Sequence, residues 1–197
     1  MGVSAGGPSA LQTAIRHPER GSVLVLVVPI ACKPGDVADS APPVSDAKDT
    51  WLLRLLRLLG SDFLFWTALH AAREPLIRHV LATPPEQVAA ASAQEHARVD
   101  DLAYRILPVS PRALGLRDDT GLGKHLGPYA LQSISVPALV VSARDDGFGS
   151  YAAARYTVSR IAGAKFLGFE HGGHLLVGHD EQVRAEIVAL FSATARR

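Results

Sequence analysis

The fold is decided by residues 2–30, which read GVSAGGPSALQTAIRHPERGSVLVLVVPI. A glycine-rich turn over residues 2–7 is followed by a helical pattern of apolar residues over residues 8–17. The run 22–30 is continuously apolar and rich in valine, which is typical of a strand buried on both faces of a parallel sheet. A turn, a helix and a buried strand in this order predict an α/β fold.

The same alternation returns in the last third of the chain. The pattern predicts a strand over residues 136–143, a helix over 150–162, a strand over 165–170 and a closing helix over 180–193. Ser150 is the predicted N-cap of the first of these helices, and Gly163 is the residue that ends it. These elements extend the predicted parallel sheet.

The composition argues against several classes of function. The 20 basic and 19 acidic residues give a formal net charge of +1 without long charged runs, whereas nucleic-acid binding needs a concentrated basic face. The single cysteine, Cys32, excludes an internal disulfide and is expected to be a small buried side chain. No histidine pair has H-E-x-x-H spacing, and we expect neither a metal nor a cofactor.

We expect a soluble, cytoplasmic protein. The N-terminus has no basic segment followed by an apolar run, so no signal peptide is predicted. The longest apolar stretch, residues 51–69, is interrupted by Arg54, Arg57 and Asp62, and a membrane span needs roughly 20 mostly uncharged residues. The sequence leaves the oligomeric state open.

Residues 2–6 fit the pattern G-x-S-x-G, in which a sharp turn between a strand and a helix exposes a serine. In such a turn the amide of Ala5 lies at the amino end of the helix, where it can donate to a developing oxyanion. The pattern also occurs by chance, because glycine-rich turns before helices are common. The helix that follows favours Ser4 as a nucleophile.

A serine hydroxyl needs a base, and the base needs an acid that orients it. Asp145 and Asp146 follow the predicted strand 136–143, at the edge where open α/β sheets have their sites; either could instead simply cap a turn. His174 follows the last strand, and the two glycines before it allow a sharp bend. His171 and His179 are nearby alternatives.

A helical pattern fills the middle of the chain. It predicts helices over residues 50–73, 74–83 and 86–106, separated by Pro75 and by Pro84 and Pro85. Ser4 and Asp146 are 142 positions apart, whereas two strand–helix crossovers need only about 60 residues. We therefore predict an α/β core formed by residues 1–32 and 128–197, with residues 33–127 inserted as an all-helical cap.

The blocks GVSAGGPSALQTAIRHPER, VPALVVSARDDGFG and GGHLLVGH resemble α/β-hydrolase fold enzymes, and most of all the cap-bearing branch with esterases and carbon–carbon bond hydrolases. The order Ser, Asp, His is the one these enzymes use. The resemblance selects Asp146 over Asp145, because the acid lies four residues before a frequent proline, here Ser150, and three after a usual glycine, here Ala143.

The resemblance implies the C-terminal half of such an enzyme, N-terminally truncated. Met1 would be the last residue of the strand entering the turn, and the loop with a second oxyanion donor would lie upstream. It further implies a serine hydrolase that acts by acyl transfer, through Ser4, His174 and Asp146, on a small apolar ester or ketone of the β-diketone type. The Leu-rich run 52–56 suggests an apolar pocket. An acyltransferase, or an inactive fragment serving as a binding module, remains an alternative.

Overall fold

A computed structural model of the chain describes residues 1–30, 61–115 and 128–195. The expectations for Cys32 and for the Leu-rich run 52–56 fall outside these residues. None of the helices within the described ranges is long and apolar enough to cross a membrane.

Among the described residues, four parallel strands form one sheet at the centre of the α/β part. The strands are β1 (Gly2–Val3), β2 (Leu24–Val27), β3 (Ala138–Ala143) and β4 (Lys165–Phe169), and they lie in the order β1-β2-β3-β4. The register pairs Gly2 with Leu26, Leu26 with Val140 and Val140 with Phe166. All residues of β2 and β3 are buried, which confirms the burial predicted for the strand within residues 22–30.

Three helices in the described part of the chain flank this sheet: α1 (Gly7–Arg16), α6 (Ser150–Arg160) and α7 (Asp180–Thr194). Because side chains alternate along a strand, Leu24 and Leu26 of β2 face one side of the sheet, where they share a core with α1 and α6. Val25 and Val27 face the other side and share a core with α7. The α/β part is thus a three-layer structure, as the alternation of strands and helices predicts.

The described residues in the middle of the chain are mostly helical, and their longer helices are α2 (Asp62–Ala71), α3 (Arg73–His79), α4 (Pro85–Ala89) and α5 (Ala93–Arg105). They enclose a separate apolar core around Phe65, Ile77 and Val99. Leu175 and Val177, from the loop that follows β4, also pack into this core. The boundaries 33–127 of the predicted cap remain a prediction.

Three details of the predicted helices are wrong. The break predicted near Pro75 is at Ala72, and Pro75 is the third residue of α3; a proline is tolerated there because a proline in the first turn removes no helical hydrogen bond. The predicted helix 86–106 is two helices, since Ser92 caps α5 by accepting a hydrogen bond from the Glu95 amide. Gly149, not Ser150, is the N-cap of α6, with a φ of 69° that suits glycine.

Candidate active site

The three predicted site residues follow the carboxyl ends of three strands. Ser4 comes directly after β1, Asp146 lies three residues after β3, and His174 lies five residues after β4. Parallel strands end at the same edge of a sheet, and the intervening helices return the chain to the opposite edge. The fold therefore brings the three loops together.

Ser4 lies on a strained turn. Its φ is 49°, a left-handed conformation that is uncommon for residues other than glycine. A Cβ at Gly2 would lie 2.5 Å from the carbonyl oxygen of Gly6, so only glycine fits where the chain doubles back. The carbonyl of Ser4 accepts hydrogen bonds from the amides of Gly7 and Ile30. The turn predicted from the G-x-S-x-G pattern is present.

Ser4, His174 and Asp146 form a continuous chain of hydrogen-bonding contacts. The Nε2 atom of His174 lies 2.8 Å from Oγ of Ser4, and its Nδ1 atom lies 2.8 Å from Oδ2 of Asp146. The side chain of Asp146 is fully buried and that of His174 is 10% exposed. A carboxylate accepts only, so Nδ1 carries the proton and Nε2 is free to accept one from the serine hydroxyl.

The carboxylate of Asp146 is held by two further donors. Oδ1 accepts a hydrogen bond from the Phe148 amide at 2.9 Å, and Oδ2 accepts one from the Ser150 hydroxyl. Ser150 Oγ is in turn 2.8 Å from Oγ of Ser142, and both serines are buried. Buried polar groups are costly unless they are paired, so this network fixes the carboxylate in one orientation. This role of Ser150 was not predicted from the sequence.

Asp145 has a different set of partners. Its Oδ1 and Oδ2 accept hydrogen bonds from the amides of Gly173 at 2.8 Å and Gly172 at 3.2 Å. Both glycines have positive φ, 125° at Gly172 and 61° at Gly173, which confirms the sharp bend predicted before His174. Asp145 therefore anchors the loop that carries the histidine.

The neighbouring histidines point elsewhere. His171 is exposed and lies 3.6 Å from Asp145. His179 stacks on Phe169 with ring centroids 3.8 Å apart. A residue that the sequence analysis missed is Phe148, whose ring meets that of His174 edge to face at 4.8 Å. Phe148 is 44% exposed, and it gives the site an apolar wall.

Ala5 follows Ser4 in a single 3-10 turn, Ser4–Gly6, that leads directly into α1. Its amide is thus close to the amino end of a helix, where the partial positive charge favours an anion. Its role as an oxyanion donor stays a prediction. Within residues 1–30, 61–115 and 128–195, no three His, Cys, Asp or Glu side chains are grouped so that they could hold a metal ion.

An ion pair on α5 supports the histidine loop from the side of the middle helices. Glu95 and Arg98 form a doubly hydrogen-bonded pair with distances of 2.8 and 2.7 Å. Arg98 also donates to the carbonyl of Leu175, and Glu95 accepts from the Gly178 amide. The pair therefore holds the loop at two positions after His174, the carbonyl of Leu175 and the amide of Gly178.

The hydrogen bonds from Arg98, and less strongly the one from Gly178, hold the pKa of Glu95 below its ordinary value of 4.5 against the opposing effect of burial. Since the folded state favours the charged carboxylate, its contribution to the free energy of unfolding is fully present above about pH 4.5 and is lost as the pH falls through the lower folded-state pKa. Glu95→Gln should lower the stability at pH 7 by roughly 1–3 kcal/mol and weaken this pH dependence. Urea unfolding followed by circular dichroism across the acid range measures both effects.

Glu86→Gln is the matched control, because the ion pair of Glu86 with Arg78 is exposed and exposed pairs contribute little. The control should leave the stability at pH 7 nearly unchanged. If the two variants lose the same stability, then the partly buried pair on α5 has no special part in holding the loop.

The sequence profile of the Serine hydrolase family matches residues 63–191, which is about two thirds of the chain. The chain therefore belongs to the serine hydrolase family. The matched range contains Asp146 and His174 and begins after Ser4. No curated protein matches the sequence.

Many solved structures share the fold. An α/β-hydrolase fold protein from Nakamurella multipartita is 24% identical, with a TM-score of 0.59 over 95% of this chain and 66% of that one. An esterase from Exiguobacterium antarcticum is 17% identical, with a TM-score of 0.58 over 98% and 65% of the two chains. For a hydrolase from Pseudomonas aeruginosa PA01 the values are 18%, 0.61, 98% and 63%.

These structures are less than 25% identical to the chain, and they establish its fold as that of the α/β-hydrolases. The chain spans between 63% and 66% of the length of these three proteins. The predicted fold class is confirmed.

Proposed function

We propose that the protein is a serine hydrolase that acts by acyl transfer on small apolar esters or on ketones of the β-diketone type. The proposal is carried by one observation, the two contacts of 2.8 Å that link Ser4 Oγ to His174 Nε2 and His174 Nδ1 to Asp146 Oδ2. Membership of the serine hydrolase family supports it.

In the proposed reaction His174 Nε2 takes the proton of the Ser4 hydroxyl while Oγ attacks the substrate carbonyl carbon. Asp146 stabilises the imidazolium that forms and keeps its ring in place. The amide of Ala5 donates to the negative carbonyl oxygen of the tetrahedral intermediate. His174 then gives the proton to the leaving group, and a water molecule activated by the same nitrogen releases the acyl group from Ser4.

The surroundings of the histidine support an apolar substrate. Phe148 lies against the His174 ring at 4.8 Å and is nearly half exposed, so it is available for contact with an acyl or alcohol group. Of the proteins with a similar fold, the one from Exiguobacterium antarcticum is an esterase. We infer that short-chain aryl esters are suitable first substrates.

A fluorophosphonate probe tests the proposal directly. The folded protein should react stoichiometrically with the probe, because the activated serine attacks phosphorus as it attacks a carbonyl. Trypsin should release the adduct on peptide 1–16, and fragmentation should locate it on Ser4 and not on Ser9. Hydrolysis of p-nitrophenyl butyrate, with methanol as a competing acceptor, then separates hydrolysis from transfer to alcohols. A folded protein that does not react with the probe would contradict the proposal.

A further inference from the structure

The turn between α3 and α4 lies between the two loops that carry Asp146 and His174. The carbonyl oxygen of Ala82 accepts hydrogen bonds from the amide of Gly147, at 2.9 Å, and from the amide of His174, at 3.2 Å. Gly147 follows the acid directly in sequence. The carbonyl of Ala82, in the turn between α3 and α4, therefore links the backbone of the loop that carries Asp146 to the backbone of His174 itself.

Thr83 adds a second link to the histidine loop. Its side chain is buried, with 1% exposure, and Oγ1 accepts a hydrogen bond from the amide of Leu175 at 3.1 Å. The same hydroxyl donates to the carbonyl of Leu81 at 2.9 Å. Both hydrogen-bonding functions of the hydroxyl are thus used, one within the turn and one across to the residue after His174.

The turn also fits tightly against both loops. A Cβ at Gly173 would lie 2.6 Å from Cα of Thr83, and a Cβ at Gly147 would lie 3.2 Å from Cα of Ala82. Ala82 itself has a φ of 46°, a strained conformation that persists only where the surrounding contacts hold it. The contacts leave the histidine loop little freedom to shift relative to the acid.

We propose that Thr83 is a positioning residue that, together with the carbonyl of Ala82, sets the distance between His174 and Asp146. This inference rests on the proposed function, because it assigns Thr83 a part in keeping the His174 base ready for Ser4. The hydrogen bonds of Ala82 and Thr83 reach the backbone at Gly147, His174 and Leu175, so Thr83 acts on the imidazole through the backbone of the histidine loop. The middle helices thereby support catalysis from outside the α/β core.

The test compares Thr83→Val with Thr83→Ser. Valine has nearly the shape of threonine but cannot accept from the Leu175 amide, so the loop should shift. Since displacements of about 1 Å can cost up to roughly 100-fold in rate, Thr83→Val should lower kcat for p-nitrophenyl butyrate by about 10- to 100-fold while KM changes little. Thr83→Ser keeps the hydroxyl and should restore most of the rate.

Thr157→Val is the matched control. Thr157 is equally buried, but its hydroxyl donates to the carbonyl of Ala153 within α6, away from both loops. It should leave kcat unchanged. Thr83→Ala serves in place of Thr83→Val if the valine variant does not fold, as judged by circular dichroism, because it also removes the hydroxyl.

A second measurement does not depend on activity. Nitrogen-15 NMR of the His174 ring reports which nitrogen carries the proton. The proton on Nδ1, which is hydrogen-bonded to Asp146, gives a separate downfield signal in the proton spectrum. Thr83→Val should broaden or remove this signal, whereas Thr83→Ser and Thr157→Val should keep it. If the wild-type protein shows the signal but does not react with a fluorophosphonate, the proposed function fails while the NMR comparison still decides the part of Thr83. Unchanged kcat and an unchanged Nδ1 signal in Thr83→Val would overturn the inference.

Discussion

Ser4→Ala should remove nearly all hydrolysis of p-nitrophenyl butyrate, with kcat lowered by roughly 10⁴- to 10⁶-fold, the scale known for loss of the nucleophile in Ser-His-Asp enzymes. Without Oγ no acyl-enzyme can form, and His174 Nε2 loses the partner that lies 2.8 Å away. His174→Ala should cause a similar loss, since the serine then has no base. Initial rates and fluorophosphonate labelling measure both variants.

The fold should tolerate Ser4→Ala, because only the hydroxyl is lost and the carbonyl of residue 4 keeps its two backbone donors. Ser9→Ala is the matched control: Ser9 is exposed on α1, five residues further along the chain, and its loss should leave the rate unchanged. A Ser4→Ala variant that keeps more than a tenth of the wild-type rate would show that another group is the nucleophile.

The turn around Ser4 could be predicted from the sequence because its requirements are local. The close approach of Gly2 to the Gly6 carbonyl admits only glycine, and this requirement is visible in the sequence as a glycine at a fixed distance from the serine. The bend before His174 is similar, since Gly172 and Gly173 both adopt positive φ. The strands were equally accessible, because burial on both faces demands a continuous apolar run.

Contacts between residues far apart in the sequence could not be predicted from any local pattern. Residues 81–85 read LATPP, and the two prolines correctly predict a boundary between helices. Nothing in that pattern indicates that Thr83 meets Leu175, 92 positions away. Local propensity was even misleading at Ser150. Serine is a favoured N-cap, yet Gly149 takes that position and the hydroxyl turns to Asp146.

The adjacent aspartates show the same limit. The residues alone did not separate Asp145 from Asp146, and a count based on resemblance favoured the second. Asp146 lies against His174 Nδ1, whereas Asp145 accepts from the two glycine amides that shape the histidine loop. One carboxylate contacts the imidazole and the other holds the backbone that carries it, so the two should respond differently to the same substitution.

Asp146→Asn should lower kcat by about 10⁴-fold, through the wrong histidine tautomer. The Phe148 amide donates to Oδ1, so the oxygen of the new amide must occupy that position and its NH₂ group must face His174. The NH₂ group then donates to Nδ1, which leaves the ring proton on Nε2. A protonated Nε2 cannot accept the proton of Ser4. Ser150 can accept from the NH₂ group in place of donating, so the fold should persist.

Asp145→Asn is the control for this prediction, since it makes the same change one residue earlier. An asparagine keeps one of the two acceptors for the Gly172 and Gly173 amides. The lost hydrogen bond to a charged group contributes roughly 1.5–3 kcal/mol to stability, and because only part of that loss reaches the imidazole, we expect kcat to fall by about 10-fold or less. Nitrogen-15 NMR of the His174 ring should show the proton on Nδ1 in this variant and on Nε2 in Asp146→Asn. Equal losses of kcat in the two variants, or a larger loss in Asp145→Asn, would show that Asp146 is not the residue that orients His174.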